Sequence, residues 1–260
     1  MTEKVFQHAK ILSNAQIAPQ IFSMTLHAPE IADTARAGQF VMVYLDRGEM
    51  LLPRPISLCD AGLHSGEIHI VYQVVGAGTA VMSEMTAGEG LQILGALGNG
   101  FQTDDITEQR QRAVLVGGGI GAPPLYFLAK QLKARGVSTD IYLGFRDEPI
   151  LTDMFRTVAD RLFIATESGN FGHKGLITEV LVANMNDSVL GVYSCGPKPL
   201  LRAVAEFSQA AKVPCQVCME ARMACGIGTC VGCVVKVGES YARVCTEGPV
   251  FYGNEVNWNE

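Results

Sequence analysis

Four cysteines near the C-terminus carry the strongest chemical signal in the chain. Cys225, Cys230 and Cys233 form C-x4-C-x2-C, and Cys245 follows after eleven intervening residues. This is the ligand spacing of plant-type [2Fe-2S] sites, in which thiolates hold two irons bridged by sulfide. Gly226 and Gly228 lie between the first two thiols. A loop that wraps around inorganic sulfide needs close backbone approach and N–H groups aimed inward, and glycine permits both. Zinc also takes four thiolates, but usually from two short knuckles, and only Cys215-x2-Cys218 and Cys230-x2-Cys233 offer that spacing here. The x4-x2 spacing with its glycines favours a cluster over zinc, with Cys225, Cys230, Cys233 and Cys245 as metal ligands. Cys215 and Cys218 are then spare thiols.

Three further motifs have the chemistry of phosphate and ring binding. Arg54-Pro55-Ile56-Ser57 pairs a guanidinium that can clamp a pyrophosphate with a hydroxyl that can reach a ring nitrogen. Tyr72 can stack on a flat ring or fill a core, and Gly76-Ala77-Gly78-Thr79 reads as a cradle of N–H groups opening a short helix. Gly117-Gly118-Gly119-Ile120-Gly121-Ala122 satisfies G-x-G-x-x-A between a strand and a helix, the context in which that motif binds a dinucleotide. Cys195, in Ser194-Cys195-Gly196-Pro197, sits where a strand gives way to a helix, at the carboxyl end of a sheet where open α/β folds bind ligands. Burial as a small hydrophobe is the alternative for it.

These motifs need a scaffold, and the chain divides to supply one. Gln39–Leu45 and Glu67–Val75 are rich in branched and aromatic residues and bounded by glycine, which predicts a small antiparallel β barrel over residues 1–102. Asp104–Arg112 is polar and charged and reads as a connector. From Ala113 the pattern becomes apolar strands at 113–116, 139–144, 162–166 and 189–195. Helical periodicity at 124–135, 176–183 and 200–211 alternates with them. That is a doubly wound parallel-sheet α/β domain over residues 103–212. Residues 213–260 hold the cysteine cluster and a hairpin around Gly238, a small [2Fe-2S] subdomain.

Composition excludes several function classes. The 260 residues carry 20 basic and 26 acidic side chains, a net charge of -6, with none of the clustered basic residues that nucleic acid requires. The longest uncharged stretch, Ala113–Ala129, is too short for a bilayer and is interrupted by Gly117–Gly121 and Pro123-Pro124. Met1–Asn14 has no apolar secretory core, so a cytoplasmic protein without a membrane segment is expected.

The order of RPIS (54–57), VYQVVGAGT (71–79), GGGIGAPPL (117–125) and CGPKPLL (195–201) resembles the ferredoxin–NADP reductase superfamily. With EARMACGIGTCVGCVVKV (220–237) appended, the chain is similar to the electron-transfer subunits of NAD-dependent (class B) dihydroorotate dehydrogenases over almost its whole length. The resemblance implies that Arg54, Pro55, Ile56, Ser57, Val71, Tyr72, Gln73, Gly78 and Thr79 bind FAD. It also implies a [2Fe-2S] cluster on the four cysteines, with NAD received by the second domain at Gly117, Gly118, Gly119 and Gly121. Cys195 is expected near the nicotinamide. Glu167, in a TESGNFG stretch without Arg or Lys, suits a ribose 2′-hydroxyl and hence NAD over NADP, against which stands Arg146. The implied partner is an FMN-containing dihydroorotate dehydrogenase catalytic subunit, two of each chain forming a heterotetramer in UMP biosynthesis, with no dihydroorotate site on this chain. Cys218 departs from the family pattern, where a residue such as serine is expected. Alternatives are a related reductase subunit serving a sulfide or NADPH:ferredoxin oxidoreductase, or a zinc-stabilised nucleotide-binding module. Purified protein is expected to contain FAD with iron and acid-labile sulfide; stoichiometric zinc without sulfide in metal analysis would remove the cluster.

Overall fold

The computed structural model describes residues 4–45, 50–62, 64–103, 112–185 and 189–259; most of the connector, at 104–111, lies outside them. Six strands close into a barrel: β1 (Val5–Ala18), β2 (Ile21–His27), β3 (Phe40–Tyr44), β4 (Arg54–Gly62), β5 (Glu67–Gln73) and β6 (Gly90–Leu97). Their spatial order is β1-β2-β5-β4-β3-β6, antiparallel throughout, and closure comes from β1 pairing with β6, Val5 opposite Gly95. Alternation places Ile11, Met24, Leu26, Val41, Ile70 and Ile93 in the interior, each fully buried. Helix α1 (Pro29–Thr34) follows β2 and α2 (Ala77–Glu84) follows β5. Asn14 Nδ2 on β1 donates to the Met82 and Met85 carbonyls, both at 2.8 Å, and satisfies the open end of α2.

Beyond the barrel come β7 (Arg112–Gly118), α3 (Pro123–Ala134), β8 (Ser138–Phe145), α4 (Thr152–Val158), β9 (Arg161–Thr166) and β10 (His173–Lys174). They are followed by α5 (Ile177–Asn184), β11 (Val189–Cys195), α6 (Lys198–Ala210) and β12 (Cys215–Cys218). A hairpin, β13 (Val234–Val237) with β14 (Ser240–Arg243), and a last strand β15 (Val250–Tyr252) complete the chain. The large sheet runs β10-β9-β8-β7-β11-β12-β15, and every pairing is parallel except the antiparallel β12–β15 edge. Strand order reverses at β7, so the crevice between the carboxyl ends of β7 and β11 is where this topology opens for a ligand.

The sheet continues past residue 212. Cys215–Cys218 is its sixth strand, and Val250–Tyr252, from the far side of the cysteine segment, is its seventh. Both lie outside the range from which periodicity predicts an α/β sheet. The barrel and the sheet also meet directly. Helix α3 packs on β4, and Lys130 Nζ donates to Asp60 Oδ2 at 2.6 Å.

One buried charge holds the amino end of the sheet. Asp140 on β8 is 1% exposed and accepts from Arg112 on β7 and from Arg161 on β9, whose Nε lies 2.8 Å from Oδ1. Arg161 also lies over the Phe163 ring at 5.6 Å, and Phe163 stacks on Tyr142 at 4.5 Å. Removing the carboxylate leaves two guanidiniums without their shared counter-ion, though both keep contact with water. Asp140→Ala is expected to cost about 2 kcal/mol in urea unfolding, reduced from a fully buried pair by that solvent access.

Candidate functional site

A cleft of about 530 Å³ opens at the β7–β11 reversal. Its floor is the glycine turn after β7. Gly119–Gly121 form a single 3-10 turn, with Gly119 at φ +52°, and Pro123 then starts α3. A Cβ on Gly121 would meet Gly196 Cα at 2.4 Å and Gly196 N at 2.6 Å, so two backbones touch across the crevice. Only glycine fits there. Gly118 faces side chains instead, with Leu200 Cδ2 2.6 Å and Pro197 Cδ 2.9 Å from the position a Cβ would take, whereas Gly117 turns away and packs on Leu125 and Leu143. The far end of the cleft holds Arg146 and Glu167 side by side, joined through Ser168 N donating to Arg146 O at 3.1 Å. The 3-10 turn also packs against β5 of the barrel, which brings the cleft to the wall that carries the RPIS segment.

On that wall Arg54 begins β4, its guanidinium directly over Gly78 at the start of α2. A Cβ on Gly78 would fall 1.8 Å from Arg54 Nε. Thr79 Oγ1 accepts from Val75 N at 2.9 Å and Gly76 N at 3.2 Å and shapes the turn beneath. The fork donates to Leu52 O and to Met50 Sδ, and a guanidinium lying over a glycine with no side chain of its own has the chemistry to take a pyrophosphate. Tyr72 takes the core alternative. It is 1% exposed, stacks on Phe22 at 5.8 Å and donates its hydroxyl to Asn14 Oδ1 at 3.0 Å, so its ring does not face a ligand. Burial pushes its phenol up to about 12.

The four cysteines gather as two pairs. Cys225 Sγ accepts from Cys230 N at 3.4 Å, and the Cys225 thiol touches that of Cys230. Cys245 touches Cys233, and Val244 N donates to Cys233 O at 2.9 Å. Burial raises the Cys225 thiol, but N–H groups of Cys230, Ile227 and Thr229 outweigh it and bring it down to about 6. Backbone N–H groups converging on a sulfur stabilise its negative charge and so favour the thiolate that binds iron. Burial and then the neighbouring Cys233 push Cys245 up to about 11. Two pairs suit a centre with two irons, each taking two thiolates, and among the described residues no three ligating side chains converge on a single point. The donor set fits the cluster.

Comparison with known proteins gives these features a family. Over 252 residues the chain is 43% identical to the dihydroorotate dehydrogenase B (NAD(+)) electron transfer subunit of Caldanaerobacter subterraneus subsp. tengcongensis, covering 95% of this chain and 97% of that one. The chain belongs to the family of dihydroorotate dehydrogenase B electron transfer subunits.

Residues 220–257 match the family described as the iron-sulfur cluster binding domain of dihydroorotate dehydrogenase B, which includes all four paired cysteines. Among solved structures, the NADH-dependent reduced ferredoxin-NADP oxidoreductase superposes with a TM-score of 0.86 at 29% identity, covering 96% of this chain and 90% of that chain. A ferredoxin NADP+ reductase from Neisseria gonorrhoeae, solved with bound FAD and NADP, shares the fold at a TM-score of 0.66 and 17% identity, covering 79% of this chain and 91% of that one. No helix among the described residues is long and apolar enough to cross a membrane.

Within this member of the family, Gly118, Gly119, Gly121 and Glu167 all line one cleft. Cys195 ends β11 beneath it. The side chain is 1% exposed, and Gly196 and Pro197 form the cleft wall in its place. The adjacent Cys218 thiol and burial hold the Cys195 thiol well above its ordinary pKa, so it is a neutral S–H at working pH. Cys218 is its partner across the β11–β12 ladder and is likewise buried. Glu220 was not among the expected site residues, yet it lines the cleft, and enclosure by the walls raises its carboxyl. Its place follows from β12, which delivers the chain to the cleft mouth. Gly121→Ala, which drives a Cβ into the Gly196 backbone, is expected to weaken NADH binding about tenfold or more while FAD absorbance at purification stays that of the parent. Titration of NADH against flavin fluorescence measures it.

Proposed function

We propose that this chain carries electrons from the FMN of a dihydroorotate dehydrogenase catalytic subunit, through a [2Fe-2S] cluster and FAD, to NAD+. The observation that carries the reading is the meeting of three sites in one chain. The dinucleotide cleft abuts β5, the RPIS wall lies on β4 beside it, and Cys233 and Cys245 share an apolar cluster with Phe40 and Met42 of β3 next along the barrel. When bound, the flavin supplies the exchange between single electrons and hydride, which neither a cluster nor a nicotinamide can make alone.

The chain's own residues bind, orient and exclude. Arg54 clamps the FAD pyrophosphate over Gly78, with Thr79 fixing the turn. Ser57 and the backbone of Val71–Gln73 edge the ring. Gly118–Gly121 let the NAD backbone approach, and Glu167 takes a ribose hydroxyl, with Arg146 near enough to decide how strictly a 2′-phosphate is refused. Cys195, neutral and fixed by Cys218, sits behind the Gly196–Pro197 wall of the cleft, where the nicotinamide would be received. Cys225 with Cys230 and Cys233 with Cys245 hold the irons. Residues 1–102 form the flavin domain and 103–212 most of the nucleotide domain, while 213–260 carry the cluster.

On this reading dihydroorotate is oxidised on the catalytic subunit, and two histidines of this chain have other partners. His69 is engaged by Ser23 Oγ at 2.7 Å and His173 by Glu179 at 2.8 Å. The eight cysteines are all free thiols, as suits the reducing cytoplasm. A reductase subunit serving another partner is the second reading, favoured by the superposition on the ferredoxin-NADP oxidoreductase. The assay that separates them is dihydroorotate-dependent NAD+ reduction by this chain alone and with the FMN subunit added, two of each assembling. Activity is expected only from the mixture. Turnover by the isolated chain would overturn the division of labour, and no gain on mixing would favour the second reading.

A further inference from the structure

Strand β3 presents two faces. Val41 and Val43 point into the barrel core, while Phe40 and Met42 pack outward in one apolar cluster with Leu97 of β6 and with Val244, Cys233 and Cys245 of the cysteine segment. Met42 is fully buried there. Directly above it lies Gly226, the residue after the first ligand, at φ +69°. A Cβ on Gly226 would fall 2.5 Å from Met42 Cγ, 2.9 Å from its Sδ and 3.3 Å from Leu97 Cδ1. The ligand loop thus rests its backbone on the barrel.

The same wall carries the RPIS segment. Met42 is paired with Pro55 and Phe40 with Ser57 across the β3–β4 ladder, and paired residues share a face. Phe40 and Met42 therefore stand beside Pro55 and Ser57 on the outer surface. The other end of the cysteine segment is fastened to this wall as well. Asn99, just past β6, donates from its backbone N to Gly248 O at 2.6 Å and from Nδ2 to Glu247 O at 2.9 Å, close behind Cys245.

We propose that Gly226, seated on Met42, fixes the separation between the cluster and the flavin, so that Met42 and Gly226 are positioning residues for electron transfer between them. This rests on the assignment of FAD to Arg54–Ser57 and of the cluster to the four cysteines. Electron tunnelling weakens exponentially with separation. A side chain at 226 forces the loop back by about an ångström or more to regain ordinary contact at about 3.5–4 Å. One electron leaves one centre and one enters the other at each transfer, so the seat changes a rate and no stoichiometry.

The test uses the full chain loaded with FAD and cluster, in three variants. Gly226→Ala is expected to keep the parent's iron, acid-labile sulfide and flavin content. Its spin–spin coupling between reduced cluster and one-electron-reduced flavin, read by pulsed EPR, should fall, and NADH-driven reduction of the cluster should slow severalfold. Adding Met42→Ala to it makes room for the methyl and should return both readouts towards the parent. Met42→Phe presses on the contact from the barrel side without altering the loop's backbone, and should weaken the coupling by itself. Unchanged coupling in Gly226→Ala or in Met42→Phe, or a double variant no nearer the parent than the single, overturns the seat. Parent protein lacking iron and sulfide would instead sink the cluster assignment on which it rests.

Discussion

A barrel strand buried on both faces is the constraint on which the other sites depend. Along strand β3 only Tyr44, at its end, keeps partial exposure. Inside it, Val41 and Val43 fill the barrel; outside, Phe40 and Met42 are roofed by the ligand-bearing segment. In most small antiparallel barrels the outer face is wet and alternation is visible, but here FVMVY is apolar at every position. Each such side chain contributes roughly 1.5–3 kcal/mol by leaving water. The outer half of that gain exists only while residues beyond 220 stay in place. The flavin wall is therefore kept in shape by the segment that binds the irons, and that segment has little core of its own.

The short stretch leaving the barrel ties the three parts together. Gly98 lies against Pro249, and Asn99 binds the turn behind Cys245. Phe101 N donates to Ala37 O at 2.9 Å, and Phe101 meets Tyr193 of β11 edge-on. Gln102 exchanges two hydrogen bonds with the buried Gln216 side chain of β12 and accepts from Tyr252 of β15. Gln216 thus extends a backbone-like pairing through its side chain, which satisfies a polar group in an otherwise dry strand. Relative motion of barrel and sheet has to break this set of bonds or carry it along bodily.

Much of this was legible in the residues. Cysteine spacing is a local property, so the four ligand candidates could be read without knowing the fold, whereas their gathering as two pairs could not. The strands expected at 113–116, 139–144, 162–166 and 189–195 each appear where their composition places them, within a residue or two at either end. What escaped notice lacked a local signal. Helix α4 buries only Phe155 and Val158, too few for a periodic pattern. CQVC is too short to announce a strand and has glutamine in the middle; its burial depends on Gln102, far away in sequence. Glu220 escaped for the same reason, because its place in the cleft is inherited from that strand. Tyr72 had two chemically sound roles, and only the position of Phe22 and Asn14 decided between them. The connector expected at 104–112 lies almost wholly outside the described residues.

The seventh strand of the large sheet comes from beyond the cysteines. Chain leaving β12 travels out through the ligand loop and the hairpin, and returns as β15 to cover the edge it left. The sulfur-bearing part is thus threaded through the nucleotide sheet like a stitch, entering and leaving by adjacent strands. Cutting after residue 212 would not yield a tidy two-part flavoprotein. It would strip two of seven strands from the sheet and leave β11 as a raw edge open to pairing with a neighbour. A segment placed in this way cannot be swapped between proteins as an independent cassette, because its borders in sequence are not its borders in folding.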